Sequence, residues 1–218
     1  MAQRLPLFPL GTVLVPGLVL PLHIFEPRYR QLVADLEDLP EDEREFGVVA
    51  IREGGEVGSG SLRALYDVGC AATLQAVTTA EDGRSQILST GIRRFRLLDL
   101  DVDADTPYLT GLVEWLDELA GDLDPTAALR SRALWARYTE LLAGFGPQVA
   151  QDLPQEAGPL SYLLMTAVVM PLHQRQGLLS ARTDADRLNA INRYLRSEVS
   201  IMSVVPSLPL LDVDGLRS

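Results

Sequence analysis

The sequence predicts an α+β fold in which a β-rich half precedes a helical half. Three observations carry this. An apolar run at the start is cut by proline and glycine into strand-sized pieces. Short β-branched runs separated by Gly and Asp turns then continue to about residue 116. Beyond residue 121 the apolar residues recur at helical spacing instead. The β half reads as a small closed or nearly closed sheet with one helix, and the second half as an α-helical bundle. The corresponding boundaries are 1–120, 121–205 and a tail at 206–218.

Residues 5–36 read LPLFPLGTVLVPGLVLPLHIFEPRYRQLVADL. The first twenty are long and apolar enough to suggest a membrane span, but Pro6, Pro9, Pro16 and Pro21, with Gly11 and Gly17, interrupt them. Lipid offers no replacement partners for the lost backbone hydrogen bonds, so three short buried strands fit better. Pro27 then suits the first turn of a helix, and Tyr29, Leu32, Val33 and Leu36 share one face of it.

An acidic loop at 38–45 precedes a buried strand at 46–51 (FGVVAI). Residues 52–63, REGGEVGSGSLR, read as a mobile loop. Strand patterning resumes over 65–79 and turns at Asp82-Gly83, a strong hairpin signal. The return strand at 85–90 runs on into GIRRFRLL. From 98 to 103 apolar and Asp residues alternate, which predicts a half-buried strand with its carboxylates in water, and 107–116 is the last strand. Arg93, Arg94 and Arg96 form a local basic group whose plain reading is the outer face of a strand.

Asp124-Pro125 can open a helix carrying Leu134, Tyr138, Leu141, Leu142 and Phe145 as its stripe, closed by Gly144, Gly146 and Pro147. A second helix at 159–170 is apolar all round, hence central. A short helix or turn fits 171–180. Thr183 to Asp186 resembles a capping box ahead of a last helix lined by Leu188, Ile191, Leu195, Val199 and Met202.

Composition excludes several chemistries. All 19 basic residues are Arg, so no P-loop lysine, Schiff-base lysine or serine-lysine dyad can exist in this chain. The net charge of -11 argues against a general nucleic-acid or anionic-membrane footprint. Cys70 is the single cysteine, which rules out an internal disulfide and fits a reducing compartment. The start lacks the pattern of a signal peptide, and the expected location is cytoplasmic. His23 and His173 lack metal-ligand spacing, and the Asp99 to Asp105 series lacks the Gly and Glu of a calcium loop. No metal or cofactor is expected.

PLFPLGTVLVPG, LPLHIFEPRYRQLV and the GIRRF segment resemble the N-terminal substrate-binding domain of Lon proteases. The same domain occurs in cereblon and in free-standing bacterial proteins. The resemblance implies a β-rich half followed by helices and a non-catalytic module for unfolded or degradation-marked polypeptides. Its expected partners are polypeptide substrates or a separate ATP-dependent protease; the oligomeric state is open. Cereblon's cysteine-bound zinc domain has no counterpart, since Cys70 stands alone.

The binding surface is expected as an apolar groove between the two halves. Leu18, Leu20 and His23 would line it, together with Gly54, Gly55, Gly58, Ser59, Gly60 and Ser61. Plain core packing is the competing reading for the apolar members. Glu26 with Arg28 or Arg94 is expected as a structural ion pair closing the first helix onto the sheet. The alternative function is a small-molecule regulatory module, or an enzyme whose residues meet only in three dimensions.

Overall fold

A computed structural model describes residues 2–52, 64–143 and 153–204. The chain forms two compact units, Met1–Asp117 and Glu118–Ser218.

The first unit holds six strands: β1 (Gln3–Leu10), β2 (Val19–Ile24), β3 (Glu45–Ala50), β4 (Val68–Thr79), β5 (Ser85–Leu100) and β6 (Thr110–Trp115). Between β2 and β3 lie helix α1 (Pro27–Glu37) and a 3-10 turn at Glu41–Glu43. The strands form one sheet in the order β2-β5-β4-β3-β1-β6, and β6 also pairs with β5. The ladder therefore returns on itself, with β2 as an extra strand attached to β5 alone. β5 makes this possible by its length. Its first half pairs with β2 and its second half with β6.

The proline-rich start gives two strands where the sequence predicts three. Pro6 and Pro9 lie inside β1, because β1 changes neighbours midway. Gln3 to Pro6 pair with β6, and Leu7 to Leu10 pair with β3. The Leu7 N–H donates to Leu109 O at 2.7 Å, toward β6. Main-chain groups alternate along a strand, so Pro6 points toward β3 before that pairing begins, and Pro9 toward β6 after its pairing has ended. Each proline thus sits where no ladder donor is needed.

Val13, Leu14 and Val15, after β1, are buried. They end in a tight turn at Val15-Pro16-Gly17-Leu18, closed by Leu18 N donating to Val15 O at 3.2 Å. Gly17 has φ +82°, the conformation that the third residue of a type II turn requires.

α1 buries Tyr29, Leu32, Val33 and Leu36, the predicted face. It covers a cluster that includes Phe8, Leu14, Phe46, Cys70 and Ile87. Phe8 stacks on Tyr29 with ring centroids 4.0 Å apart. A second cluster gathers Leu5, Leu7, Val49, Phe95 and Val113. The Asp82-Gly83 turn belongs to a longer connection than the dipeptide suggests. Thr79 pairs with Ser85, and Gly83 N donates to Ala80 O at 2.9 Å. β5 ends at Leu100, so the predicted alternating strand at 98–103 stops early: Val102 is almost fully exposed, and Asp101 ion-pairs with Arg4 at 2.7 Å.

The second unit contains α2 (Ala127–Leu142), α3 (Ala157–Ala167), α4 (Leu172–Leu179) and α5 (Asp184–Val204). Asp124 accepts from the N–H and hydroxyl of Thr126 just before α2. Trp135 and Tyr138 are the buried aromatics of α2, stacked at 5.8 Å. The predicted Phe145 and the closing Gly144, Gly146 and Pro147 lie outside the described residues, as does the tail at 206–218. The organising helix is α5, which packs on α2, α3 and α4; α3, predicted to be central, packs chiefly on α5. Thr183 caps α5, its hydroxyl accepting from Asp186 N at 3.0 Å. No helix among the described residues is long and apolar enough to cross a membrane.

Candidate functional site

β2 is the terminal strand of the sheet, so one of its sides faces β5 and the other faces no strand among the described residues. Which main-chain groups face outward follows from two bonds. Leu18 O accepts from Gly91 N at 2.9 Å, and Leu20 O accepts from Ser89 Oγ at 3.0 Å. Leu18, Leu20, Leu22 and Ile24 therefore direct their main chain to β5, and Val19, Pro21 and His23 direct theirs away from it. The outer edge offers N–H donors at Val19 and His23, with carbonyls at all three positions.

The side chains sort by the same alternation. Leu18, Leu20 and Leu22 pack against the apolar cluster under α1, and Ile24 is buried within it. Val19, Pro21 and His23 are exposed. Directly opposite Pro21 on β5 is Leu88, which pairs in turn with Ala76 on β4; His23, Gln86 and Thr78 form the next row. These six residues line a cavity of about 400 Å³. Its lining mixes apolar side chains with imidazole, amide and hydroxyl groups that can donate or accept hydrogen bonds. Val19 at 52% exposure, Phe25 at 54% and Leu88 at 40% leave apolar surface beside it. His23 and Phe25 hold their rings 6.2 Å apart.

The sequence-predicted site residues separate accordingly. His23 lines the cavity, whereas Leu18 and Leu20 belong to the core-packing row. Gly54, Gly55, Gly58, Ser59, Gly60 and Ser61 lie outside the described residues. Glu26 accepts from Arg28 Nε at 2.9 Å, with the second guanidinium contact at 2.7 Å, at the entrance to α1. Arg94 is a correction to the outer-face reading: it is 2% exposed and donates to Asp117 O at 3.3 Å. The reason is local. Arg94 lies opposite Cys70 and Phe95 opposite Gly69, so consecutive residues of β5 are both buried, on its two faces. Arg93 and Arg96 remain exposed. Arg93 lies over the Trp115 ring at 3.6 Å and pairs with Glu45 at 2.7 Å.

Two polar clusters escaped the sequence reading. In the first unit Tyr108 donates to Asp35 at 2.6 Å, and burial together with that carboxylate pushes the phenol well above its ordinary range. In the second unit Arg187 is fully buried. Its guanidinium bonds Leu178 O, Ser161 Oγ and Asp184 Oδ1, approaches Glu118 at 3.4 Å, and lies 4.0 Å from the Tyr162 ring centre. Nearby on α5, burial and Glu198 push Tyr194 up to about 12 while its hydroxyl donates to Val169 O. The Asp184 to Arg187 spacing of three was the only sequence trace of the Arg187 cluster. These groups anchor elements to one another.

Comparison with known proteins agrees with this architecture. The profile of the ATP-dependent protease La (LON) substrate-binding domain matches residues 4–197. Lon protease 1 of Herpetosiphon aurantiacus is 25% identical over 201 residues, which is 89% of this chain and 24% of that protein. A Lon protease of Azorhizobium caulinodans is 25% identical over 207 residues, 93% of this chain and 24% of that protein. The chain thus spans about a quarter of the length of these relatives. The crystal structure of a Lon N-terminal domain protein from Xanthomonas campestris superimposes with a TM-score of 0.66 at 26% identity, covering 88% of this chain and 98% of that one. The N-terminal domain of a Mycobacterium avium complex Lon protease shares the fold at 12% identity, with a TM-score of 0.62 over 89% of this chain and 98% of that one.

Proposed function

This chain belongs to the Lon substrate-binding domain family, and from that premise we propose that it is a non-catalytic polypeptide-recognition module. It takes extended segments of unfolded or degradation-marked proteins on the outer edge of β2. The observation that carries this reading is the unpaired edge beside the cavity: main-chain donors and acceptors lie next to an apolar surface with a few polar groups. An extended chain can satisfy such an edge through main-chain hydrogen bonds, which tolerate many sequences, while one of its side chains enters the cavity. In this reading the returning ladder is a small barrel that fixes the edge, and the helices after it form a bundle. Without a lysine the chain supplies neither a P-loop ATPase nor a serine-lysine peptidase. Unfolding and cleavage then fall to a separate ATP-dependent protease, to which this module delivers clients in the cytoplasm. Gly54, Gly55, Gly58, Ser59, Gly60 and Ser61 are proposed to contribute to polypeptide binding, and the Glu26–Arg28 pair to fix the entrance of α1.

Leu88→Asp tests the site. Leu88 is partly exposed and its row faces the cavity, so the charge enters the surface without entering the core. Binding of a fluorescein-labelled, permanently unfolded protein, followed by anisotropy, is expected to weaken by roughly tenfold, the scale set by losing one partly buried leucine contact. Unchanged binding would place the site elsewhere. The cavity's His23, Gln86 and Thr78 favour a second reading, a small-ligand site. That reading predicts saturable binding of a small metabolite and no binding of unfolded protein.

A further inference from the structure

The edge of β2 is interrupted at its centre. Of the three residues that face outward, the middle one is Pro21, which has no N–H and places its ring where a ladder bond would run. The five other residues of β2 all carry a donor. The proline is not needed for pairing with β5, since its main chain faces away from that strand, its residue is exposed, and no strand among the described residues pairs with its outer side. From this placement we infer that Pro21 is the specificity-determining residue of the edge: it admits a short extended segment of another protein and refuses a second copy of this chain.

The asymmetry comes from what each partner would place opposite Pro21. A second copy approaching by two-fold symmetry, with the strands antiparallel and centred, sets Pro21 against the partner's Pro21 and Val19 against the partner's His23. The central pair then loses both of its hydrogen bonds, and two rings meet across the gap. Sliding the register brings fewer outward residues into pairing. An unrelated extended chain meets only one proline. Its N–H at that position still reaches the Pro21 carbonyl, and the donors of Val19 and His23 hold its carbonyls on either side. Only one carbonyl of the guest goes unbonded, and in this exposed position water can take it. The result is a weak, sequence-tolerant and readily released hold on a guest, on a strand that would otherwise be a template for edge-to-edge aggregation. This deepens the edge reading above and rests on it for the guest, whereas the refusal of a second copy is measurable without any guest.

The test compares the wild-type chain with Pro21→Val and Pro21→Thr by sedimentation velocity over a concentration series. Pro21 is exposed and its main chain faces away from β5, so restoring an N–H leaves the existing ladder intact. Both variants are expected to self-associate about ten- to a hundredfold more tightly than wild type, from the two recovered ladder bonds. Adding His23→Pro, which removes a flanking donor, should return self-association toward the wild-type level. Variants that sediment as wild type does, or self-association that persists with His23→Pro, would overturn the inference. In parallel, anisotropy of a short fluorescein-labelled peptide alternating Val and Thr should show the variants binding it more tightly than wild type. If wild type fails to bind that peptide, the proposed function fails, and the sedimentation comparison still decides the role of Pro21.

Discussion

Replacing Arg187 with alanine is expected to destabilise the unit Glu118–Ser218 by about 3–5 kcal/mol, the scale for breaking a buried, hydrogen-bonded charge pair from one side. The side chain has no exposure, and its guanidinium ties together the end of α4 through Leu178 O, α3 through Ser161 and the start of α5 through Asp184. Removing it leaves the Asp184 carboxylate, whose side chain is 16% exposed, without its closest cation at 2.9 Å. It also removes the contact with the Tyr162 ring. Arg187→Lys should recover only part of the loss, because an ammonium cannot reproduce a planar fork that reaches three elements at once. Urea unfolding followed by tryptophan fluorescence measures this, since Trp135 of α2 reports from the same unit. A loss below about 1 kcal/mol would mean that the cluster is solvated in solution.

Gly91→Ala is expected to cost the first unit about 3 kcal/mol, toward the upper end of overpacking effects. A Cβ at Gly91 would lie 2.2 Å from Val15 O, and 3.2 Å from Cys70 Sγ on the buried side. Backbone must move to relieve the first contact, and that backbone is already committed. Gly17 N donates to Gly91 O at 2.8 Å, and Gly91 N to Leu18 O at 2.9 Å. The substitution therefore lifts the buried Val13 to Val15 segment and loosens the register that starts β2 at Val19 against Thr90. Thermal unfolding should show the lost stability, and binding of the unfolded-protein probe should fall with it. Normal stability with normal binding would show that this close approach is not what sets the edge.

Much of the fold was legible because its signals are local. Tyr29, Leu32, Val33 and Leu36 lie at helical spacing and form the buried face of α1. The Thr183 cap of α5 was readable in the same way. What was not legible depends on neighbours that sequence does not reveal. Pro6 and Pro9 read as breaks, but they are tolerated because β1 is paired on one side at a time along most of its length. Arg94 was read with Arg93 and Arg96 as one outer face, but adjacent strand residues point to opposite faces, and the run gave no sign that both faces were covered. α3 has the most continuous apolar sequence, yet α5 is the helix that meets the other three, since its position between them decides burial. For the site, the suspicion that proline-broken strands leave unpaired edges pointed at β2, and His23 lines the cavity there. Leu18 and Leu20 were chosen with His23 for that same proline-broken stretch. Strand alternation turns them toward the core and leaves Val19, Pro21 and Leu88 on the accessible face.

The most direct test is amide hydrogen exchange, read residue by residue by NMR, with and without the Val-Thr peptide. If an extended chain pairs with the outer edge of β2, the Val19 and His23 amides slow on binding. The Leu20 and Leu22 amides, already facing β5, stay as they were. Protection that gathers elsewhere, with Val19 and His23 still exchanging freely while peptide is bound, would contradict the account.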